Sequence, residues 1–210
     1  MSTFRIVSVI FTVVLLFTSC GREGKRTPPS VPEENNRSST QVPPITVIRN
    51  EKPKPKRTLF HIQDIDQRST TIEIDGDRLV FKKIRQPLVL LYIFSDWCAP
   101  CRGMLPYLGD LQKKNAHDLF IIGLLVHSAS TPEQVRTLMR RYAAPFFISI
   151  HSDNDALADR IAARHSLPDN YPLPLTVLYK NGKYVMQISG AVPYEMLQTL
   201  IDQLKDKEKD

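Results

Sequence analysis

Two apolar runs constrain this chain more than any other feature. Leu88-Val89-Leu90-Leu91-Tyr92-Ile93-Phe94, entered through Pro87, is one, and Leu119 to Val126 is the other. Each is too short for most helices and lacks polar alternation, so each suits a central strand buried on both faces. Between them Leu105, Leu108 and Leu111 recur at helical spacing. Ser130-Thr131-Pro132-Glu133 brings the hydroxyl, early proline and acid that open a helix, which should run through Tyr142. Phe146 to Ile150 reads as a further strand and Ala156 to His165 as a helix. Leu175 to Tyr179 and Tyr184 to Ile188 flank Asn181-Gly182, a strong hairpin signal, and an amphipathic helix follows from Tyr194 to Lys205. Upstream, Thr58 to Ile62, Thr70 to Ile74 and Arg78 to Lys82 are short strand candidates. Strands alternating with helices place residues 58–210 in the α/β class, with a central mixed sheet flanked by helices.

The first 57 residues have a different character. Ile6 to Phe17 is mostly apolar but falls short of the roughly 20 residues that span a bilayer, and it fits the core of a secretory signal peptide over residues 1–19. Phe17-Thr18-Ser19-Cys20-Gly21 resembles the lipobox of bacterial lipoproteins, with Phe17 where Leu is usual. That resemblance implies lipid on Cys20 and a protein held at a membrane in the bacterial cell envelope, facing the periplasm. Residues 20–57 then hold seven of the sixteen prolines among polar and charged residues, which argues for an extended, solvated linker.

Charge follows the same division. Residues 21–57 carry nine Lys/Arg against four Asp/Glu, whereas residues 58–210 carry eighteen of each sign. The folded part is electrically balanced, so the net +6 of the whole chain gives no argument for nucleic-acid binding.

Chemistry concentrates in Trp97-Cys98-Ala99-Pro100-Cys101, at the junction of a buried strand and a helix start. Cys98 at a helix N-terminus would meet unpaired amides and the positive end of the dipole, which favour thiolate over thiol. Cys101, three residues on, is one helical turn away and can close a small disulfide ring. Pro100 in the first turn sacrifices no hydrogen bond. In this reading Cys98 attacks and Cys101 resolves the mixed disulfide. No second cysteine pair or close histidine pair follows to complete a zinc site, and Arg102 stands where covalent haem attachment needs His. A purely structural disulfide explains the pair poorly, because so small a ring constrains little chain entropy.

The stretch from residue 58 to the C-terminus resembles the thioredoxin fold, in the TlpA/ResA/CcmG-like group of exported thiol–disulfide oxidoreductases. Trp97-Cys98-Ala99-Pro100-Cys101-Arg102 matches the WCxxC motif with its following basic residue, and Pro106 matches the proline of the active-site helix. The resemblance implies an N-terminal β extension, a central helix–strand–helix insertion between Pro132 and Pro174, and a cis-proline at Pro174. It places Leu173 and Pro174 beside the cysteines, with Trp97, Ala99 and Pro100 shaping the site. Two acids that help proton transfer in relatives are replaced here: Met104 stands three residues after Cys101, and Tyr92 six before Cys98. Asp96 reads as an exposed loop carboxylate, and Tyr107, Tyr142 and Tyr171 as packing residues.

What the resemblance implies is a membrane-tethered enzyme using the Cys98–Cys101 dithiol, with no other cofactor and no metal. It would reduce cysteines of exported proteins, as in cytochrome c maturation, and draw electrons from a membrane partner resembling DsbD or CcdA. Oxidation or isomerisation of exported proteins is the competing direction. A non-catalytic thioredoxin-fold lipoprotein that binds a partner or carries copper on its two thiolates is the alternative of different class.

Overall fold

A computed structural model describes residues 57–206. The proposed signal, Cys20 and all of the tether except Arg57 lie outside the described residues. In chain order the elements are β1 (Thr58–Gln63), β2 (Ser69–Asp75), β3 (Arg78–Phe81), β4 (Leu88–Phe94), α1 (Ala99–Lys114), β5 (Leu119–Leu125), α2 (Pro132–Arg141), β6 (Phe147–Ser149), α3 (Asn154–Arg164), β7 (Leu175–Lys180), β8 (Lys183–Ser189) and α4 (Tyr194–Asp206). The strands form one mixed sheet in the order β1-β2-β3-β8-β7-β4-β5-β6. β4 to β6 run parallel, and β7 lies antiparallel against β4.

The two apolar runs are adjacent inner strands, and every residue of β4 is buried. Their alternate residues feed two separate layers. Leu90, Tyr92 and Phe94 pack under α1 and α4, with Leu105, Leu108, Leu197 and Ile201. Val89, Leu91 and Ile93 face α3, with Leu157, Ala158 and Ile161. A strand buried on both sides needs no polar alternation, which is why these runs have none.

Local chemistry sets the boundaries. Thr131 caps α2 with a full capping box, its hydroxyl accepting from the Gln134 amide while the Gln134 side chain accepts from the Thr131 amide. Asn181 and Gly182 both take positive φ at the β7–β8 turn. A Cβ on Gly182 would sit 2.3 Å from the Leu79 carbonyl oxygen, so this turn requires glycine twice over. The N-terminal strands form an antiparallel meander that joins β8 at Arg78, paired with Lys183, and at the Leu79 amide, which donates to the Gly182 carbonyl at 2.9 Å. At the other side, the end of β1 covers the edge of β6. Asp64 bridges Ser149, and the Ile150 amide donates to the Gln63 carbonyl at 2.8 Å.

Register positions the site. Ile93 pairs with Leu175, so Pro174 lies level with the end of β4, where the chain leaves the sheet toward Cys98. The Leu173–Pro174 peptide bond is cis.

Candidate active site

The loop from β4 to α1 is tied to the loop after β5. The Ser95 hydroxyl, fully buried, donates to the Val126 carbonyl at 2.6 Å, and the Val126 amide donates to the Phe94 carbonyl at 2.9 Å. Trp97 Nε1 donates to the His127 carbonyl at 3.2 Å. His127 has positive φ, and its amide donates to the Asp155 carboxylate at 2.8 Å. The indole is nonetheless 64% exposed, so Trp97 is a surface wall anchored at one atom.

Asp96 differs from expectation. It is half-buried, not an exposed loop carboxylate, and its Oδ2 accepts hydrogen bonds from the hydroxyls of Ser128, at 2.8 Å, and Ser130. Burial disfavours its charge. The hydroxyls of Ser130 and Ser128 and the amides of Trp97 and Asp96 outweigh that and hold the carboxyl below the usual carboxylate range. Arg102 folds back to donate to the Asp96 carbonyl at 2.6 Å, so its guanidinium is engaged there.

Cys98 is the N-cap of α1. Its backbone is extended, its Sγ accepts from the Cys101 amide at 3.2 Å, and its carbonyl accepts from the Arg102 amide at 3.1 Å. Pro100 lies in the first turn, where its missing N–H is no loss. Cys98 and Cys101 form a disulfide with Cα atoms 5.2 Å apart. The two sulfurs are not equivalent. Cys98 retains 6% of its surface, and Cys101 has none. Ala99 and Pro100 flank them as exposed residues, and Leu173 packs against the core cluster that contains both cysteines. Pro174 is buried, and its carbonyl accepts from the Gly190 amide at 2.7 Å.

Beneath the disulfide the polar contact comes from Tyr92. Its ring is fully buried and stacks on Phe94 with centroids 5.2 Å apart, and its hydroxyl donates to the Cys101 carbonyl at 2.9 Å. Burial raises its pKa far above the ordinary tyrosine value, so the phenol stays neutral and keeps the proton it donates to α1. Met104 is buried against the same cluster. Opposite Tyr92 in the ladder, Thr176 carries a buried hydroxyl with no hydrogen-bond partner. Pro106 lies inside α1. Tyr107 is half-exposed, which corrects its reading as a packing residue, because its ring lies outward against Tyr194. Tyr171 is buried and Tyr142 half-buried.

Sequence reasoning missed the Asp96–Ser128–Ser130 cluster and the Tyr92–Cys101 bond. The hydroxyls at 128–131 signalled a helix start, but nothing local marks which carboxylate they meet. Among the described residues, no group of three or more His, Cys, Asp or Glu is arranged to hold a metal ion.

No protein-family model matches the chain. It is 27% identical over 128 residues to the thiol-disulfide oxidoreductase ResA of Bacillus thuringiensis, covering 60% of this chain and 68% of that protein. It is 32% identical over 78 residues to the thioredoxin-like protein YneN of Bacillus subtilis, covering 37% and 46% respectively. Of solved structures, the thioredoxin domain of a thiol-disulfide oxidoreductase from Bacteroides vulgatus superposes with TM-score 0.51 at 13% identity, over 70% of this chain and 93% of that one. A thioredoxin-family thiol:disulfide interchange protein from Chlorobium tepidum gives 0.51 at 14%, over 69% and 92%. At these identities the structural likeness speaks to the arrangement of strands and helices.

Proposed function

We propose that this chain, a TlpA/ResA/CcmG-like thioredoxin-fold protein and a thiol–disulfide oxidoreductase, works outside the cytoplasm as a membrane-tethered reductase of protein cysteines. The observation that carries the reading is the inequality of the cysteines, one keeping 6% of its surface at a helix N-cap and the other fully buried. In the reduced protein the Cys98 thiolate attacks one sulfur of a substrate disulfide and displaces the other as a thiolate, which takes up a proton. Cys101 then loses its proton, and its sulfur attacks Cys98 Sγ. The Cys98–Cys101 disulfide forms and the second substrate sulfur leaves as a thiol. Two electrons pass from the dithiol to the substrate, and no further cofactor takes part.

The reducing direction is supported by Asp96, an ionised carboxylate two residues before Cys98, whose charge opposes a thiolate there. That anion offsets part of the stabilisation the thiolate draws from the helix N-terminus, and the less the reduced form is stabilised, the better an electron donor it is. An oxidising compartment would demand re-reduction, and family resemblance supplies a DsbD- or CcdA-like membrane donor and apocytochrome-type clients as the expected partners. Cys20, in its lipobox-like setting, is the proposed anchor. No helix among the described residues is long and apolar enough to cross a membrane.

The test is the Cys101→Ser variant in cells, which should accumulate Cys98-linked mixed disulfides. Capture of apocytochromes or a few similar clients supports the reductase reading. A broad spectrum of exported proteins would indicate oxidation, and no captured partner would count against turnover. Cys20→Ala should move the protein to the soluble fraction.

A further inference from the structure

Between α1 and α2 lies a groove of about 350 Å³, lined by Arg102, Gln134, Thr137, Leu138, Arg141 and Tyr142. It borders the first turn of the active-site helix: Arg102 follows Cys101 in sequence, its amide bonds to the Cys98 carbonyl, and its side chain returns to Asp96. Its charges distinguish it. On the neighbouring surface cations are paired, Arg136 with Asp66 at 3.1 Å, Arg140 with Glu133 at 3.3 Å and Lys113 with Asp110 at 3.5 Å. Arg102 and Arg141 have no carboxylate partner among the described residues. One donates to a carbonyl, and the other lies 5.7 Å over the Tyr142 ring.

We propose that this groove is a subsite that receives an acidic side chain of the protein substrate, close in sequence to the cysteine under attack. The inference rests on the oxidoreductase reading and adds a specificity to it. Two guanidinium forks suit a carboxylate better than a point charge would. Neutral donors stand beside them. Gln134 uses its carbonyl oxygen on Thr131, which leaves its amide hydrogens, and the Thr137 oxygen accepts from Arg140, which leaves its own hydrogen to give. Leu138 and Tyr142 supply an apolar wall for the methylenes of Asp or Glu. A membrane headgroup fits less well, because the cations around the groove are neutralised by their own carboxylates and do not form the broad basic cluster that lipid surfaces attract.

The experiment compares second-order rate constants of the reduced full-length protein toward disulfide-bonded peptides that differ only by Glu or Gln. The substitution is scanned across about four residues on either side of the cysteine, the reach of a short extended segment. At one or two positions the Glu peptide should react roughly 3- to 10-fold faster at low salt, as fits a partly exposed charge-assisted hydrogen bond. That ratio should approach one at about 0.5 M salt. Arg141→Gln should abolish the ratio and Arg141→Lys retain part of it. Because the ratio is internal to each variant, a general loss of activity does not imitate it. A ratio of one at every position, or a ratio that survives Arg141→Gln, overturns the subsite while leaving the oxidoreductase reading standing. Arg141-dependent binding to phosphatidylglycerol vesicles without any peptide ratio overturns it in favour of a lipid surface. If neither peptide reacts, the oxidoreductase reading falls and the subsite with it.

Discussion

The Tyr92 hydroxyl offers a clean perturbation, because Tyr92→Phe removes one atom from a fully buried site and leaves the ring on Phe94. What is lost is the 2.9 Å bond to the Cys101 carbonyl. That carbonyl lies in the first turn of α1 and keeps the helix amide four residues on, so it is not orphaned. The phenol's own desolvation cost disappears with it. The loss is therefore the net value of one neutral hydrogen bond, about 1 kcal/mol. For a domain of this size that is a fall in Tm of about 2–4 °C. Tyr92→Ala, which empties the ring's volume, should cost about 3–5 kcal/mol. Urea unfolding of oxidised and reduced protein gives both costs, and their difference equals the change in redox free energy. The bond is to backbone, not sulfur, so the two costs should agree and the reduction potential should move by less than about 5 mV. A potential shift above about 20 mV, equivalent to roughly 1 kcal/mol, would mean that the hydroxyl acts on the sulfur and would refute the assignment. A Phe variant as unstable as the Ala variant would refute the hydrogen-bond ledger.

Other positions give further expected outcomes. Asp96→Asn removes an anion close to Cys98 and should raise the reduction potential by roughly 10–20 mV, read by equilibration with a thiol buffer. Because the folded carboxyl is held below its ordinary value, its contribution to stability is complete above about pH 4 and is lost as pH falls through the lower folded value. The stability gap between wild type and Asp96→Asn, measured by urea unfolding, should thus be wide at pH 7 and narrow as the medium is acidified below about pH 4. Thr176→Val replaces a buried, unpartnered hydroxyl with a methyl and should stabilise by roughly 1 kcal/mol in the same assay. Gly109→Ala should destabilise by roughly 1–2 kcal/mol despite the better helix propensity of Ala. A Cβ there would lie 2.3 Å from the Ala143 carbonyl oxygen, and backbone cannot swing aside as a flexible side chain can.

Most of the fold was legible because its strongest signals are local. Apolar continuity marks β4 and β5, Asn181-Gly182 marks the last hairpin, and Thr131-Pro132 opens α2 within one residue of its expected start. The cysteine pair was legible for the same reason, since motif and helix start lie within five residues. What escaped depends on the chain meeting itself far away. The short junction at Arg78 and Lys183 that joins the meander to β8, and the bridge from Asp64 to Ser149, leave no local pattern. The Ser128 and Ser130 bonds to Asp96 span more than thirty residues, so a carboxylate that looks exposed in a Ser-Asp-Trp loop is half-buried in the fold. Tyr92 could be recognised as standing where relatives carry an acid, but its buried bond to the Cys101 carbonyl depends on packing that sequence position alone does not express.

As the proposed electron donor, the Cys98–Cys101 pair must be a reversible couple. Its most direct measurement is the equilibrium reduction potential of the full-length protein against a graded thiol–disulfide buffer, with Cys98→Ser as the blank. A donor should titrate as a two-electron couple at the reducing end, about −270 to −200 mV. A value near −120 mV, as for a strong oxidant, or no reversible couple at all, would contradict it.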